Sequence, residues 1–354
     1  DKAMFINPIG NFIALISDLT SWDNAASFFL YRLLAAIFLV VSFIRLSSVF
    51  LSGLGAKLFA LFLFVFGAGW DIRIDGLSAR SWSSSAPEMN PFIACIGEYY
   101  IPIAIAFLLF YMERLLHLTK IKAPQSKDLL VLGTLLFVIG VVYIYSMLMA
   151  ISITASILLY DWIKKGNIAT GTIKITLWTA LFSLPVIIYY VWLYSNLNSA
   201  AQDEGWVMGP GLVETLLTNF WVAIPAILLF VFNTLKGNKG NDWMILAVWV
   251  TTVLVITRIP PPYLPFQVQA HVGLSAPLCI MTAIGMEKLY NNGRANKSKR
   301  IFAIVISALL LFFSVQTNWK FYAEMLNRIK QLEYPEFTSK DELKAFSWIR
   351  ENLP

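Results

Sequence analysis

Charged side chains are scarce in this sequence, which has long runs without any. Asp, Glu, Lys and Arg make up 14% of the 354 residues, and hydrophobic residues make up 58%. Soluble domains carry roughly 25% charged residues. The mean hydropathy of +0.68 agrees with this shortfall. The composition therefore excludes an ordinary soluble domain and predicts an integral membrane protein.

Few residues of the kinds that build soluble catalytic or metal centres are present. The chain has two histidines, and its two cysteines, Cys95 and Cys279, stand in apolar surroundings. These numbers exclude a disulfide framework and most histidine-built metal sites. The sequence shows no phosphate-binding P-loop, no Gly-rich dinucleotide fingerprint and no GxSxG elbow. It also shows no internal repeat of 20–50 residues, which disfavours a transporter built from inverted repeats.

Basic residues are in slight excess, with a net charge of +6, but they do not form a nucleic-acid surface. They stand in short loops between apolar runs, where lysine and arginine report membrane topology. We therefore expect that the chain has no nucleic-acid partner and that membrane lipid is one of its partners.

The apolar runs predict an all-α polytopic fold with about ten transmembrane helices. A run of roughly 20 apolar residues is long enough to cross the hydrocarbon core. Residues 4–17 are shorter and predict a helix that lies on the membrane surface. The predicted spans are 26–47, 55–70, 97–117, two within 129–160, 174–194, 213–234, 242–257, 271–289 and 301–318.

The uncharged run at 129–160 predicts a hairpin of two helices. As one helix it would be about 48 Å long, against a hydrocarbon core of about 30 Å. Basic residues stand on both sides of it, and such residues favour the cytoplasmic side. Both ends are therefore expected inside, with a turn near Tyr143–Ser146. A single strongly tilted helix is the alternative.

Charges in the loops predict which loops lie outside. The loop at 287–300 has five basic residues and one acidic residue, whereas the loop at 196–212 has two acidic residues and no basic residue. The positive-inside rule places 71–90, 196–212 and 258–270 outside, together with the C-terminal segment. We expect residues 1–320 to form the membrane domain and 321–354 to begin an extracytoplasmic domain. Because the chain starts with Asp1, we also expect a further span and outside loop upstream.

The predicted outside loops contain the candidate acids. Glu88 stands between two prolines, and Glu98 enters the next span beside Tyr99. A carboxylate can act as a general base or bind a divalent cation. An ionisable group at the start of an apolar span is a functional candidate. We predict catalytic roles for both acids and a substrate contact for Tyr99; a merely solvated carboxylate is the alternative.

The predicted outside loop at 258–270 and the start of the following span contain the candidate phosphate ligands. Arg258 precedes a cluster of prolines, and Gln267 and His271 follow that cluster. Proline cannot continue a helix, so an ordered polar turn is expected at the mouth of the next span. Guanidinium and imidazole groups bind phosphate. The alternatives are an interfacial anchor for Arg258 and a hydrogen-bonded residue at a helix start for His271.

The layout resembles the GT-C superfamily of membrane glycosyltransferases, most nearly its polyprenyl-phosphate-dependent, mannosyltransferase-like members. The stretches that carry the resemblance are PEMNPFIACIGEYYIPIAIAFLLF from Pro87, LPVIIYYVWLYSNLNSAAQDEGW from Leu184, PPYLPFQVQAHVGLSAPLCIMTAIGMEKL from Pro261 and DELKAFSWIRENLP from Asp341.

The resemblance implies transfer of a sugar from a polyprenyl-phosphate donor to an acceptor outside a bacterial or archaeal plasma membrane. It places the main catalytic aspartate in an outside loop upstream of residue 1, and it allows Mg²⁺ or Mn²⁺ as a cofactor. The sequence departs from the family at Val268 and Gln269, where basic residues are usual, and at Tyr99, where histidine is usual. A lipid or polysaccharide transporter and a non-catalytic assembly subunit are the alternative functions.

Overall fold

Helices account for all the regular structure in the part of the chain described by this computed structural model. Twelve α-helices occur there, and a short 3-10 helix precedes α11. The described residues are 8–67, 91, 94–95, 100–121, 124–166, 170–196, 211–235, 241–259, 267–292 and 297–331. The elements are α1 (Pro8–Thr20), α2 (Asn24–Ser47), α3 (Leu54–Phe66), α4 (Ile101–Thr119), α5 (Ser126–Val142), α6 (Ile144–Lys165), α7 (Thr170–Asn196), α8 (Leu212–Thr218), α9 (Phe220–Leu235), α10 (Asn241–Ile256), the 3-10 helix (Gln267–His271), α11 (Ser275–Asn292) and α12 (Lys297–Gln331).

Six of the described helices are long and apolar enough to cross a membrane, namely α2, α4, α6, α7, α11 and α12. The bent pair α8 and α9 makes a seventh if it counts as one span. The chain is therefore a helical membrane protein, as the composition predicts. Helix α12 continues through the expected domain boundary at 320 to Gln331.

Helices α4 and α11 form the centre of the bundle, and α12 lies at its periphery. In the most apolar window of each helix, 72% of α4 and 67% of α11 are buried, compared with 17% of α12. Phe107 on α4 packs edge-to-face on Phe38 of α2, with ring centroids 5.0 Å apart. Arg32 on α2 donates two hydrogen bonds to the carbonyl of Cys95, at 2.8 and 3.2 Å, so it does not simply extend to the membrane surface.

The run at 129–160 forms two helices, and the predicted turn is confirmed. Tyr143 is extended (φ −159°, ψ 104°) and separates α5 from α6. Gly133 and Gly140 of α5 face Phe182 and Val186 of α7, so α5 and α7 are parallel. Since only four residues join α6 to α7, α6 must return the chain to the edge where α5 begins.

The two ends of α11 define two edges of the bundle. Glu287, near its C-terminal end, accepts a hydrogen bond from the backbone N–H of Gly53, one residue before α3. We call this end the basic edge, because Lys297 and Arg300 begin α12 there. The opposite edge contains the start of α11. With 18 residues, α11 separates the two edges by about 27 Å.

The expected span at 213–234 is broken, which the sequence did not predict. Helices α8 and α9 meet at an angle of 107°. Asn219 stands at the break with φ −111° and ψ 21°, and its carbonyl accepts the first N–H groups of α9, from Val222 and Ala223. The side chain of Asn219 donates from Nδ2 to the carbonyl of Thr215 at 3.0 Å, so it satisfies a carbonyl near the end of α8.

Candidate functional site

Helix α8 contributes the central hydroxyl of the site. The backbone N–H of Gly211, which precedes the helix, donates to Glu214 at 2.7 Å. This bond satisfies a donor at the helix start that otherwise has no partner in the helix. One residue further, Thr215 is 1% exposed, and its side chain points toward residues from two distant parts of the chain.

Arg258 approaches Thr215 from the end of α10. Its Nη2 lies 3.4 Å from Oγ1 of Thr215 and 3.4 Å from Oγ1 of Thr257. Arg258 is itself exposed. The guanidinium group therefore lies over a buried hydroxyl and faces the outside of the bundle.

His271 contacts Thr215 from the interior of the bundle. It ends the 3-10 helix, is fully buried, and its Nε2 lies 3.2 Å from Oγ1 of Thr215. Gly273 then adopts φ +78°, a left-handed conformation that glycine reaches without steric cost. A Cβ atom at this position would lie 2.7 Å from Cδ2 of Leu108. The conformation and close packing of Gly273 thus fix the turn that carries His271.

The hydrogen bonds of Thr215 indicate which atoms of the site donate and which accept. Its hydroxyl donates to the carbonyl of Gly211 at 2.9 Å. A hydroxyl has one proton and two acceptor lone pairs. Nε2 of His271 and Nη2 of Arg258 are therefore the donors, and Oγ1 of Thr215 accepts from both. We call these three residues the Thr215 cluster.

The charge of Arg258 is not neutralised by an ion pair within the part of the chain that the structure describes. No carboxylate oxygen there lies within 4.0 Å of its guanidinium. Burial lowers the pKa of Arg258, and the nearby Glu214 carboxylate raises it. Because arginine titrates only above about 12, it keeps its charge at neutral pH. A guanidinium has five N–H donors, so the cluster can bind an anion.

The structure brings together two of the predicted site residues, Arg258 and His271, and links them through Thr215. The backbone of Gln267 begins the 3-10 helix, and its side chain lies outside the described part. Glu88, Glu98 and Tyr99 also lie outside the described residues, so their roles stay predictions. His271 is fully buried beneath Thr215, whereas Arg258 is exposed.

A second polar group, near the basic edge, shows what a compensated site looks like in this protein. Glu113 is 5% exposed; its carboxylate lies 3.2 Å from Arg45, 3.6 Å from Arg114 and 3.4 Å from His117. The guanidinium groups of Arg45 and Arg114 also stack on the ring of Phe110. We call the four polar residues the Glu113 cluster.

The described residues do not form a metal site at the Thr215 cluster. No group of three His, Cys, Asp or Glu side chains in the described ranges is placed to hold a metal ion. Glu214, the carboxylate nearest in sequence to Thr215, accepts the N–H of Gly211. The expected Mg²⁺ or Mn²⁺ therefore stays a prediction, and we derive no chemical step through it.

Comparisons with known proteins leave the chain without a relative from which a function can be carried over. No family model, curated protein or solved structure matches it. The resemblance to GT-C enzymes stays a prediction, and the function is argued from the residues themselves.

Proposed function

We propose that this chain is the membrane domain of a glycosyltransferase that uses a polyprenyl-phosphate-linked sugar. The observation that carries the proposal is the exposed guanidinium of Arg258 above the buried Thr215 hydroxyl, with no carboxylate of the described residues within 4.0 Å. A polyprenyl monophosphate presents one anionic group at the membrane surface, and a guanidinium binds such a group through charge-assisted hydrogen bonds. The proposed ligand thus matches the site in charge and in membrane depth.

The bend between α8 and α9 supports a ligand that comes from the lipid. If α9 crosses the membrane, the 107° bend lays α8 along the membrane surface. On α8, Leu212 is 49% exposed and Val213 64% exposed, whereas Thr215 is buried. The prenyl chain of the donor would lie against the exposed apolar face, with its phosphate at Arg258.

We further propose ten crossings in a GT-C-like arrangement. The bent pair α8–α9 supplies one crossing, and α3, α5 and α10, with 13, 17 and 16 residues, supply three short ones. Together with the six long helices they give ten. The positive-inside rule then places the basic edge in the cytoplasm and the Thr215 cluster outside, with the C-terminus outside a plasma membrane.

The proposed chemistry is a direct displacement at the anomeric carbon of the sugar. A carboxylate accepts the proton of the acceptor hydroxyl while the oxygen of that hydroxyl bonds to the anomeric carbon. The bond from that carbon to the phosphate oxygen breaks, and the leaving phosphate keeps the electron pair. Arg258 stabilises the charge that develops on the phosphate. Glu88, Glu98 or the aspartate expected upstream would supply the base.

A non-catalytic subunit that binds a lipid phosphate is the second candidate. One observation favours it: within the described ranges, no carboxylate lies within 4.0 Å of the Arg258 guanidinium. Such a subunit would bind a polyprenyl phosphate without transferring a sugar, so binding and transfer must be measured separately.

A transfer assay in reconstituted vesicles separates the two candidates. The full chain is supplied with a polyprenyl-phosphate-linked hexose, and release of polyprenyl phosphate is followed in wild type, Arg258→Ala and Lys174→Ala. Loss of a charge-assisted hydrogen bond costs about 1.5–3 kcal/mol, so we expect a loss of roughly 10–100-fold in Arg258→Ala alone. Lys174→Ala removes an exposed cation near the start of α7 and should transfer like wild type. Equal rates in all three would remove Arg258 from the site, and binding without turnover in wild type would favour the subunit.

A further inference from the structure

A groove runs along α3 on the lipid side of the bundle, far from the Thr215 cluster. Near the basic edge, a cavity of about 620 Å³ lies between α3, α11 and α12. A second cavity, of about 480 Å³, lies between α3 and α12 and contacts Phe62 and Trp319. Leu311 lines both cavities, so the two meet at this side chain and together make up the groove.

The length of the groove suits an acyl chain. From Gly53 to Phe62 the chain advances nine residues, or roughly 13 Å along a helix. The second cavity continues on α12 to Trp319, and the neighbouring Asn318 donates to the carbonyl of Phe66 at the end of α3. The groove therefore begins at the basic edge and extends along most of α3, or about 20 Å. This length is enough for an acyl chain that spans half of the hydrocarbon core, about 15 Å.

Small side chains create the space near the edge. Gly55, Ala56 and Ala303 line the first cavity. A Cβ atom added to Gly55 would meet no other atom within 4 Å. Next to it, a Cβ atom on Gly53 would lie 2.8 Å from Oε1 of Glu287. The helices α3 and α11 are thus in close contact at the edge and leave room directly beneath it.

A carboxylate lines the polar end of the groove. Oε1 of Glu287 accepts hydrogen bonds from the backbone N–H of Gly53 at 3.0 Å and from the hydroxyl of Ser52 at 3.3 Å. Both donors are neutral. No cationic nitrogen of the described residues lies within 4.0 Å of this carboxylate. Glu287 therefore presents a negative charge to whatever fills the groove.

A positive charge lies at the same edge of the bundle. Tyr290, one turn beyond Glu287, also lines the cavity. The guanidinium of Arg300 lies over the ring of Tyr290, 4.8 Å from its centroid. Glu287 lies on the α3 side of the groove and Arg300 on the α12 side, so the two charges match a zwitterionic headgroup that lies across the edge. We propose that this groove binds a phospholipid with a primary amine headgroup, of the ethanolamine type, from the leaflet at the basic edge. The amine meets Glu287, the phosphate lies toward Arg300, and an acyl chain follows α3 to Phe62.

Native mass spectrometry of the delipidated full chain tests this assignment. Phosphatidylethanolamine, phosphatidylglycerol and phosphatidylcholine with identical acyl chains are added in turn, and bound lipid is counted. We expect wild type to prefer the ethanolamine lipid to the other two by about tenfold, because one charge-assisted hydrogen bond distinguishes them. Choline has no N–H to donate, and the glycerol headgroup has no positive charge.

Three variants show whether the groove is the site. Glu287→Gln keeps an oxygen to accept the Gly53 N–H and should abolish the preference, whereas Asp161→Asn on α6, which removes a carboxylate paired with Lys165, should retain it. Gly55→Leu fills the open space without touching Glu287 and should reduce retention of all three lipids. If Glu287→Gln does not fold, lipid retention in Gly55→Leu alone tests the proposal. Undiminished ethanolamine-lipid binding in a folded Glu287→Gln or in Gly55→Leu would overturn the proposal, as would a preference of wild type for the glycerol lipid.

Discussion

The Thr215 cluster and the Glu113 cluster contain similar residues around different central groups. Each places an arginine and a histidine on one side chain with little exposure. At the basic edge that side chain is the carboxylate of Glu113, which forms ion pairs with Arg45, Arg114 and His117. At the opposite edge it is the hydroxyl of Thr215. This group is neutral, so it accepts hydrogen bonds from Arg258 and His271 without neutralising the charge of Arg258.

This difference is the reason for proposing that the Thr215 cluster binds an anion and that the Glu113 cluster is structural. An anion near Arg45 or Arg114 would compete with the carboxylate that already lies beside them. An anion near Arg258 meets a cation with no carboxylate within 4.0 Å in the described chain. The presence of arginine and histidine is therefore uninformative by itself, and the charge of the group between them decides the role.

Giving the Thr215 cluster a carboxylate should remove the contrast and have the largest effect. Thr215→Asp places a carboxylate beneath Arg258. This carboxylate repels a phosphate bound at Arg258, and two like charges in close contact cost several kcal/mol. We expect binding of a polyprenyl phosphate to fall roughly 100-fold. Thr215→Asn has a similar shape without the charge and serves as the control. Equal binding by the two variants, measured by native mass spectrometry, would show that Arg258 does not hold the phosphate.

Removing the carboxylate of the Glu113 cluster should damage the fold and spare binding. Glu113→Ala leaves the guanidinium groups of Arg45 and Arg114 without the carboxylate that lies beside them. Because Arg45 and His117 are 45% and 58% exposed, water offsets part of the loss. We expect the free energy of unfolding in detergent to fall by about 1–3 kcal/mol. Asp161→Ala breaks a surface pair with Lys165 and should cost about 0.5 kcal/mol or less. Similar costs for both would mean that Glu113 is not a structural centre.

A comparison of two glycines with positive φ separates the cost of backbone strain from the cost of a steric clash. Gly273→Ala and Gly166→Ala both force alanine into a left-handed conformation, at about 1–2 kcal/mol each. Only Gly273 also meets a neighbour, Leu108. We expect Gly273→Ala to be the less stable of the two in thermal unfolding, and to weaken phosphate binding because it displaces His271. A Gly273→Ala protein that binds like Gly166→Ala would argue against the positioning role of His271.

The smallest expected effect is loss of the bridging hydroxyl. Thr215→Val keeps the shape of the side chain but leaves the donors of His271 and Arg258 without this acceptor. An unmatched buried donor costs about 1 kcal/mol or more, so phosphate binding should weaken roughly fivefold. Thr176→Val, on the exposed face of α7, is the matched control and should bind like wild type. A wild-type affinity in Thr215→Val would mean that Arg258 needs no support from beneath.

Several apolar helices long enough to cross a membrane could be predicted from the sequence, because lack of charge is itself the physical requirement for crossing lipid. The uncharged run with basic flanks located the turn at Tyr143. The same reasoning missed the break at Asn219, since one asparagine in an apolar run changes the hydropathy little. Its capping role depends on carbonyl geometry, which hydropathy does not report.

The site was predicted in part, for a similar reason. Arg258 and His271 are conspicuous because they are ionisable residues beside apolar spans. Thr215 is an ordinary residue of a short helix, and its importance comes from partners 43 and 56 residues away along the chain. The capping pattern that begins with Gly211 and Glu214 marks a helix start there, but nothing in the sequence indicates that this start meets α10 and α11.

The central claim is that Arg258 binds a lipid phosphate, and direct binding of two matched lipids tests it best. A polyprenyl phosphate and the corresponding neutral polyprenol are compared on the purified full chain by native mass spectrometry, in wild type and in Arg258→Ala. We predict that wild type retains the phosphate at least about tenfold better, and that Arg258→Ala retains both lipids equally. Equal retention by wild type, or an unchanged preference in Arg258→Ala, would contradict the account.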